Sequence, residues 1–131
     1  MLRTEQGQRL AGVTATINQV RALRQRKEGW NGYDALPPDP QAVAYAESWI
    51  REMYRDARST GQPWRPPHVT TSAEGEVVFE WWQGGKTLTV YVAANTAEYV
   101  KGSGPEIDAE VEDGEAATAT SRRPLWTWLS S

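Results

Sequence analysis

Glu76-Val77-Val78-Phe79-Glu80-Trp81-Trp82-Gln83-Gly84-Gly85-Lys86-Thr87-Leu88-Thr89-Val90-Tyr91-Val92 is the stretch that decides the fold. Its apolar residues recur at every second position, the period of a strand whose side chains alternate between two faces. Val77, Phe79 and Trp81 fall on one face, and Val78, Glu80 and Trp82 on the other. Gly84-Gly85 lies between two such runs and suits a tight hairpin, where glycine reaches positive φ without a Cβ penalty. Beyond the turn, Leu88, Val90 and Val92 share one face, and Thr87, Thr89 and Tyr91 the other. An antiparallel pair with an apolar face needs a cover, and helices are the simplest one.

The period of two continues outward. Asn95-Thr96 is a turn into a shorter strand over Ala97–Lys101, and upstream His68–Ser72 reads as a short strand joined through Glu74-Gly75. Ile107, Ala109 and Val111 alternate with Asp108, Glu110 and Glu112, which gives a fifth, exposed strand. The sheet is thus expected over residues 68–112 as an antiparallel meander of three to five strands. The Glu115–Thr120 run of small residues reads as a linker. A short helix over 122–129 follows, with Ser121 as cap and Leu125, Trp128 and Leu129 on its docking face.

Before residue 60 the period is helical. Leu10, Val13, Ile17, Val20 and Leu23 form one stripe of a helix expected over 8–28. Arg21, Arg24, Arg26 and Lys27 crowd its final turns, where the helix dipole favours cations, and Gly29 is the expected stop. That basic cluster therefore needs no nucleic acid to explain it. A second helix is expected over 40–58, with Asp39 as N-cap, Pro40 in its first turn and Val43, Ala46, Ile50, Met53 and Ala57 as its stripe. Tyr45, Trp49 and Tyr54 widen this apolar face. The sum is one α+β domain over residues 1–131. Two long N-terminal helices pack on the Val77/Phe79/Trp81 and Leu88/Val90/Val92 faces of the meander, and a short C-terminal helix completes it.

Between the helices, Gly29-Trp30-Asn31-Gly32-Tyr33-Asp34-Ala35-Leu36-Pro37-Pro38 combines turn-forming residues with large apolar ones. Trp30, Tyr33 and Leu36 are unusually bulky for a loop, so the segment is expected to be packed down, with Trp30 and Tyr33 as structural anchors. The run from Trp30 to Pro38, followed by a helix, the spacer Pro63-Trp64-Arg65-Pro66-Pro67 and a hairpin, resembles a group of small bacterial and phage proteins that share the pattern W-[DN]-G-Y-x-A-x-P. The likeness extends to the Gly75 turn, to Glu80-Trp81-Trp82 with Gly84-Gly85-Lys86, and to Glu98-Tyr99, covering residues 10–101. The resemblance implies a bacterial or phage origin in mobile or defence-associated surroundings. It brings no catalytic residue to carry over.

Composition narrows the chemistry. The 131 residues include no Cys and one His, which removes thiol nucleophiles, disulfides, Cys-ligated metals and His-rich metal sites. His68 follows Pro66-Pro67 at a strand start, and no Gly-x-Ser-x-Gly precedes a helix, so a surface or strand-edge histidine is the simpler reading than a catalytic one. Gly102-Ser103-Gly104 leads into acidic residues that would repel phosphate. Carboxylate pairs are available in Glu76, Glu80 and the 106–115 cluster, but alternating acids on an exposed strand are ordinarily solvated, and no Asp-x-Asp-x-Asp-Gly loop occurs. No catalytic residue, cofactor or metal is therefore expected. Formal net charge is −3, and no apolar run approaches the ~20 residues of a membrane span. The N-terminal MLRTEQGQRL has no apolar signal core. A soluble cytoplasmic protein that binds neither nucleic acid directly nor membrane is the expectation.

Two features remain. Seven Trp and five Tyr against one Phe exceed what so short a chain ordinarily carries, and Trp is enriched at interface hot spots as well as in cores. Charge is also polarised: residues 1–65 hold ten Lys/Arg and seven Asp/Glu, whereas residues 66–131 hold four and ten. The excess acid concentrates in Glu106, Asp108, Glu110, Glu112, Asp113 and Glu115. If extended, Asp108, Glu110 and Glu112 point the same way at roughly 6.5–7 Å intervals, near the spacing of phosphates along a nucleic-acid strand. The block reads either as a solvated loop or as a face for a partner with a basic or nucleic-acid-binding surface. The functional expectation is a non-enzymatic protein-binding module, an inhibitor or antitoxin-like partner in a bacterial or phage conflict system, anti-defence inhibitors included. Its partner-binding candidates are Trp81 or Trp82, whichever lies outside, with Glu106, Asp108, Glu110 and Glu112. The alternative is a small carboxylate-based enzyme or ligand-binding protein whose aromatics stack on a sugar or base.

Overall fold

The alternation over the central hairpin does form two strands, and three more extend it into a five-stranded antiparallel meander with strands in sequence order. The computed structural model describes residues 2–27, 29, 32, 35–104 and 110–131, with only the backbone of residues 2–11 and 110. The elements are α1 (Leu2–Ala22), a 3-10 turn (Leu23–Gln25), α2 (Pro40–Ser59), β1 (His68–Thr71), β2 (Val77–Gln83), β3 (Lys86–Val92), β4 (Ala97–Ser103), β5 (Glu110–Glu115) and α3 (Ala119–Ser130). Trp30 and Tyr33, expected as loop anchors, and Glu106 and Asp108 of the acidic block lie outside the described residues.

Register puts the strand cores in line. Val77 pairs with Val92, Phe79 with Val90 and Trp81 with Leu88, so one sheet face is a continuous apolar layer of buried side chains. α2 lies over that layer, flanked by α1 and α3. Its stripe of Val43, Ala46, Ile50, Met53 and Ala57 is buried as the spacing predicts, and Trp49 joins it, donating its indole N–H to the Ala116 carbonyl at 2.7 Å. Asp39 caps the helix through a 3.0 Å bond from the Gln41 N–H. The expected cover differs in one respect. α1 packs chiefly on α2 and touches the sheet at β1, while α3 shares the sheet face with α2. Trp126, absent from the expected docking face of α3, is fully buried beside Leu125 and Leu129.

Boundaries depart from expectation where polar residues take specific partners. The first helix begins at Leu2 and ends at Ala22, not 8–28, because the chain tightens into the 3-10 turn and Arg26 leaves it in an extended conformation. Its guanidinium donates to the Thr71 hydroxyl at 2.9 Å, so part of the basic cluster ties the helix end to β1. α3 starts at Ala119 rather than 122, since Thr118 is the cap and Ser121 the third helical residue of a capping box. β5 spans Glu110–Glu115, so Asp113-Gly114-Glu115 is strand rather than the approach to a linker, and residues 107–109 of the expected strand lie outside the described residues. In the 35–39 segment Leu36 is 51% exposed, whereas Ala35 and Pro38 are buried. That segment is held by backbone instead: Leu36 N–H donates to the Ala73 carbonyl at 2.8 Å and Asp39 N–H to the Gly75 carbonyl at 3.0 Å.

Six rings make one contiguous core array. Phe79, Trp49 and Trp81 touch pairwise, Trp81 meets Trp126 edge-on at 5.9 Å, Trp126 stacks on Trp64 at 5.1 Å, and Trp64 meets Tyr54 edge-on at 5.4 Å. Much of the tryptophan excess is thus core, where each ring buries a large apolar area. A buried ion pair fastens α3 to α2: Arg122 Nε donates to Asp56 Oδ2 at 2.6 Å and its Nη1 to the Ala117 carbonyl at 2.8 Å. No helix among the described residues is long and apolar enough to cross a membrane.

Candidate functional site: the uncovered sheet face

Among the described residues the three helices lie on one side of the sheet and none on the other, where Val78 is nonetheless buried. Pairing registers assign its residues in rows. One row runs Trp82, Thr87, Gly102, Val111 from β2 to β5; the next runs His68, Glu80, Thr89, Val100, Asp113; the third runs Thr70, Val78, Tyr91, Glu98, Glu115. Trp82 is 60% exposed, Val100 39% and Val111 64%, three of the four large apolar side chains exposed among the described residues. Four carboxylates (Glu80, Glu98, Asp113 and Glu115) share the face. None of its strand positions is Lys or Arg; Lys86 and Lys101 both have the opposite parity.

The acids of this face lie close together, and Glu115 Oε2 also accepts from the Ala117 N–H at 2.8 Å. Glu98 and Glu115 are direct cross-strand partners with Asp113 beside them, and like charges so placed repel. Tyr91, Glu98, Val100, Asp113 and Glu115 border an open hollow of about 450 Å³. His68 sits at the β1 end with its ring 6.0 Å from that of Trp82. Among the described residues no group of three or more His, Asp or Glu is arranged to hold a metal ion.

The helix side of β4 and β5 is different in kind. Tyr99 donates its hydroxyl to Glu112 at 2.8 Å, and Lys101 pairs with the same carboxylate at 3.2 Å. The Tyr99 bond and then the Lys101 charge hold the Glu112 carboxyl below its ordinary pKa, and the Glu112 bond raises the Tyr99 phenol above its own. The Tyr99 ring crosses β5 at Gly114, where a Cβ would lie 2.9 Å from Cε1 and would push the ring aside. Lys101 and Lys86 lie over the Trp128 ring at 4.9 and 5.5 Å, and Lys86 also donates to the Trp128 carbonyl at 2.8 Å.

These placements revise the expected site. Trp81 is buried, stacked among the core rings with its N–H on the Arg65 carbonyl at 2.7 Å, so Trp82 is the contact candidate of the two. Glu112 and the strand position of Glu110 face the helix side, and Glu112 is paired with Tyr99 and Lys101. A row made of Glu110 and Glu112 is therefore not the acidic surface. The pleat sends the other half of the block, Asp113 and Glu115, to the open face. Glu98, Val100 and Val111 were not singled out from sequence. The signal was present in the short Asn95-Thr96 link, which pairs Val92 with Ala97 and so fixes the parity of every residue downstream on β4. Comparison with protein-family models, with curated proteins and with solved structures finds no match for the chain.

Proposed function

We propose that the chain is a non-enzymatic protein-binding module whose open sheet face engages a partner with a basic surface. The observation that carries this reading is a helix-free face on which exposed Trp82, Val100 and Val111 stand among four carboxylates and no strand-borne cation. Exposed apolar residues rimmed by charge are the composition of an interface, with an indole as anchor and complementary charge setting orientation and association rate. An inhibitor or antitoxin-like role in a bacterial or phage conflict system follows from the resemblance carried by the Trp30–Pro38 motif, and basic, nucleic-acid-binding partners fit the charge. The test is affinity capture from bacterial host extract at two salt concentrations with wild type, Trp82→Ala and Glu98→Lys. A stoichiometric protein should be held by wild type, released as salt rises, and lost by both variants, whose thermal unfolding should be unchanged because surface substitutions usually cost within ~0.5 kcal/mol. Retention of the same protein by both variants would refute the assignment to this face, and a bound small molecule instead of a protein would favour the ligand-binding alternative.

A further inference from the structure

We propose that the partner enters as an extended basic segment that adds a sixth strand along β5. This rests on the reading that the open face binds a basic partner, and specifies how the contact is made.

The sheet has two edges, β1 and β5. β1 has only four residues, lies beside α1, and receives the Arg26 guanidinium on its Thr71 hydroxyl. β5 has six residues, and Val111, Glu112, Asp113 and Glu115 are all exposed. An outer strand presents a row of backbone N–H and C=O groups that another chain can pair with, and β-strand addition draws its affinity from those bonds.

Side chains then select what pairs. Val111, Asp113 and Glu115 alternate on the open face, and Glu112 stands on the other. A second copy of β5 would bring carboxylates beside carboxylates, so the edge is guarded against self-association. A segment with Lys or Arg at alternate positions meets the opposite situation. Directly opposed Cβ atoms are about 4.5–5.5 Å apart, near enough for each cation to reach Asp113 or Glu115. A cation there would also lie beside the cross-strand pair Glu98 and Glu115. Beyond the new strand, the rest of the partner would lie over Val111, Val100 and Trp82, across a trough floored by Gly102 and Thr87.

The probe is a synthetic peptide alternating Lys and Thr, compared with the same peptide N-methylated at alternate backbone nitrogens. Amide hydrogen exchange at residues 111–115 and the Trp82 indole resonance are read together, on wild type and on Asp113→Lys/Glu115→Lys. The unmodified peptide should slow β5 exchange about tenfold or more. N-methylation or charge reversal should each weaken binding about tenfold, the loss expected from one or two backbone hydrogen bonds or an equivalent charge interaction. If the Trp82 resonance shifts while β5 exchange is unchanged, or if the N-methylated peptide binds equally well, strand addition is overturned and the open-face reading stands. If neither β5 exchange nor the Trp82 resonance responds to the peptide, both are overturned.

Discussion

The Asp56–Arg122 pair joins α3 to α2. The two side chains are 4% and 7% exposed and meet at 2.6 Å. Removing one partner of a buried pair leaves the other desolvated and unpaired, which ordinarily costs ~3–5 kcal/mol. Here the survivor keeps some support, and this sets the figure within that range. After Asp56→Ala, Arg122 retains the Ala117 carbonyl at 2.8 Å and has Glu52 at 4.0 Å, so a loss of about 3 kcal/mol is expected, at the low end of that range. After Arg122→Met, Asp56 has only Arg123, 3.4 Å away on a side chain that is 57% exposed, so the loss should be as large or larger. The double variant Asp56→Ala/Arg122→Met leaves no charge stranded, so its loss should fall short of the sum of the two single losses by a coupling energy of about 2 kcal/mol. Urea denaturation midpoints with unchanged slope, and calorimetric melting lowered by roughly 10 °C in each single variant, would measure it. Single variants within about 1 kcal/mol of wild type with no coupling would refute the reasoning, since they would mean that water reaches the pair.

Further outcomes are expected for two glycines and two titratable groups. Gly75 has φ +87°, and a Cβ there would lie 2.8 Å from the Pro37 carbonyl oxygen, so Gly75→Ala should cost about 2–4 kcal/mol in chemical denaturation. Gly84→Ala, at φ +61° in open space, should cost only the conformational strain of about 1–2 kcal/mol; equal losses would show that the Pro37 contact is immaterial. Glu47 is held below its ordinary pKa first by its hydrogen bond to Arg21, so its share of stability is present above the unfolded-state value near 4.5 and is lost as pH falls through the folded value. Glu47→Gln should flatten the acid limb of the stability profile, and an unchanged limb would place the acid sensitivity elsewhere. Tyr99 has the opposite sign: its raised pKa contributes stability below the ordinary phenol value of 10.0 that is lost as pH rises through the folded one.

What was legible in the sequence was whatever apolar periodicity and turn glycines encode. The α2 stripe, the Asp39 cap and the pairing of Val77, Phe79 and Trp81 with Val92, Val90 and Leu88 all follow from spacing. The boundaries that moved are set by polar contacts with distant residues. Arg26 leaves its helix for Thr71, forty-five positions on, and no local pattern announces that. Thr118 caps α3 through a box closed by Ser121 rather than by the Glu or Gln that usually marks one. The acidic block was visible as composition, and alternation put Glu110 and Glu112 on one side as the register has them, but which side of the sheet that is depends on the pairing with β4. Alternation showed that Trp81 and Trp82 face opposite ways; which one lies inside became evident from the side on which the helices sit.

The array of stacked rings also determines how the molecule interacts with light. Trp64 and Trp126 lie nearly parallel, 11° apart at 5.1 Å, and Trp81 crosses Trp126 at 87°. Indoles this close share their excited states, so they contribute an exciton signal to circular dichroism that overlaps the helical bands. Helix content read from such a spectrum will be distorted even when every helix is intact. The same coupling makes the signal a gauge of α3 docking, because Trp126 belongs to α3 and its stacking partner Trp64 to the spacer after α2. Trp82, 60% exposed and outside this array, is expected to emit further to the red than the buried rings.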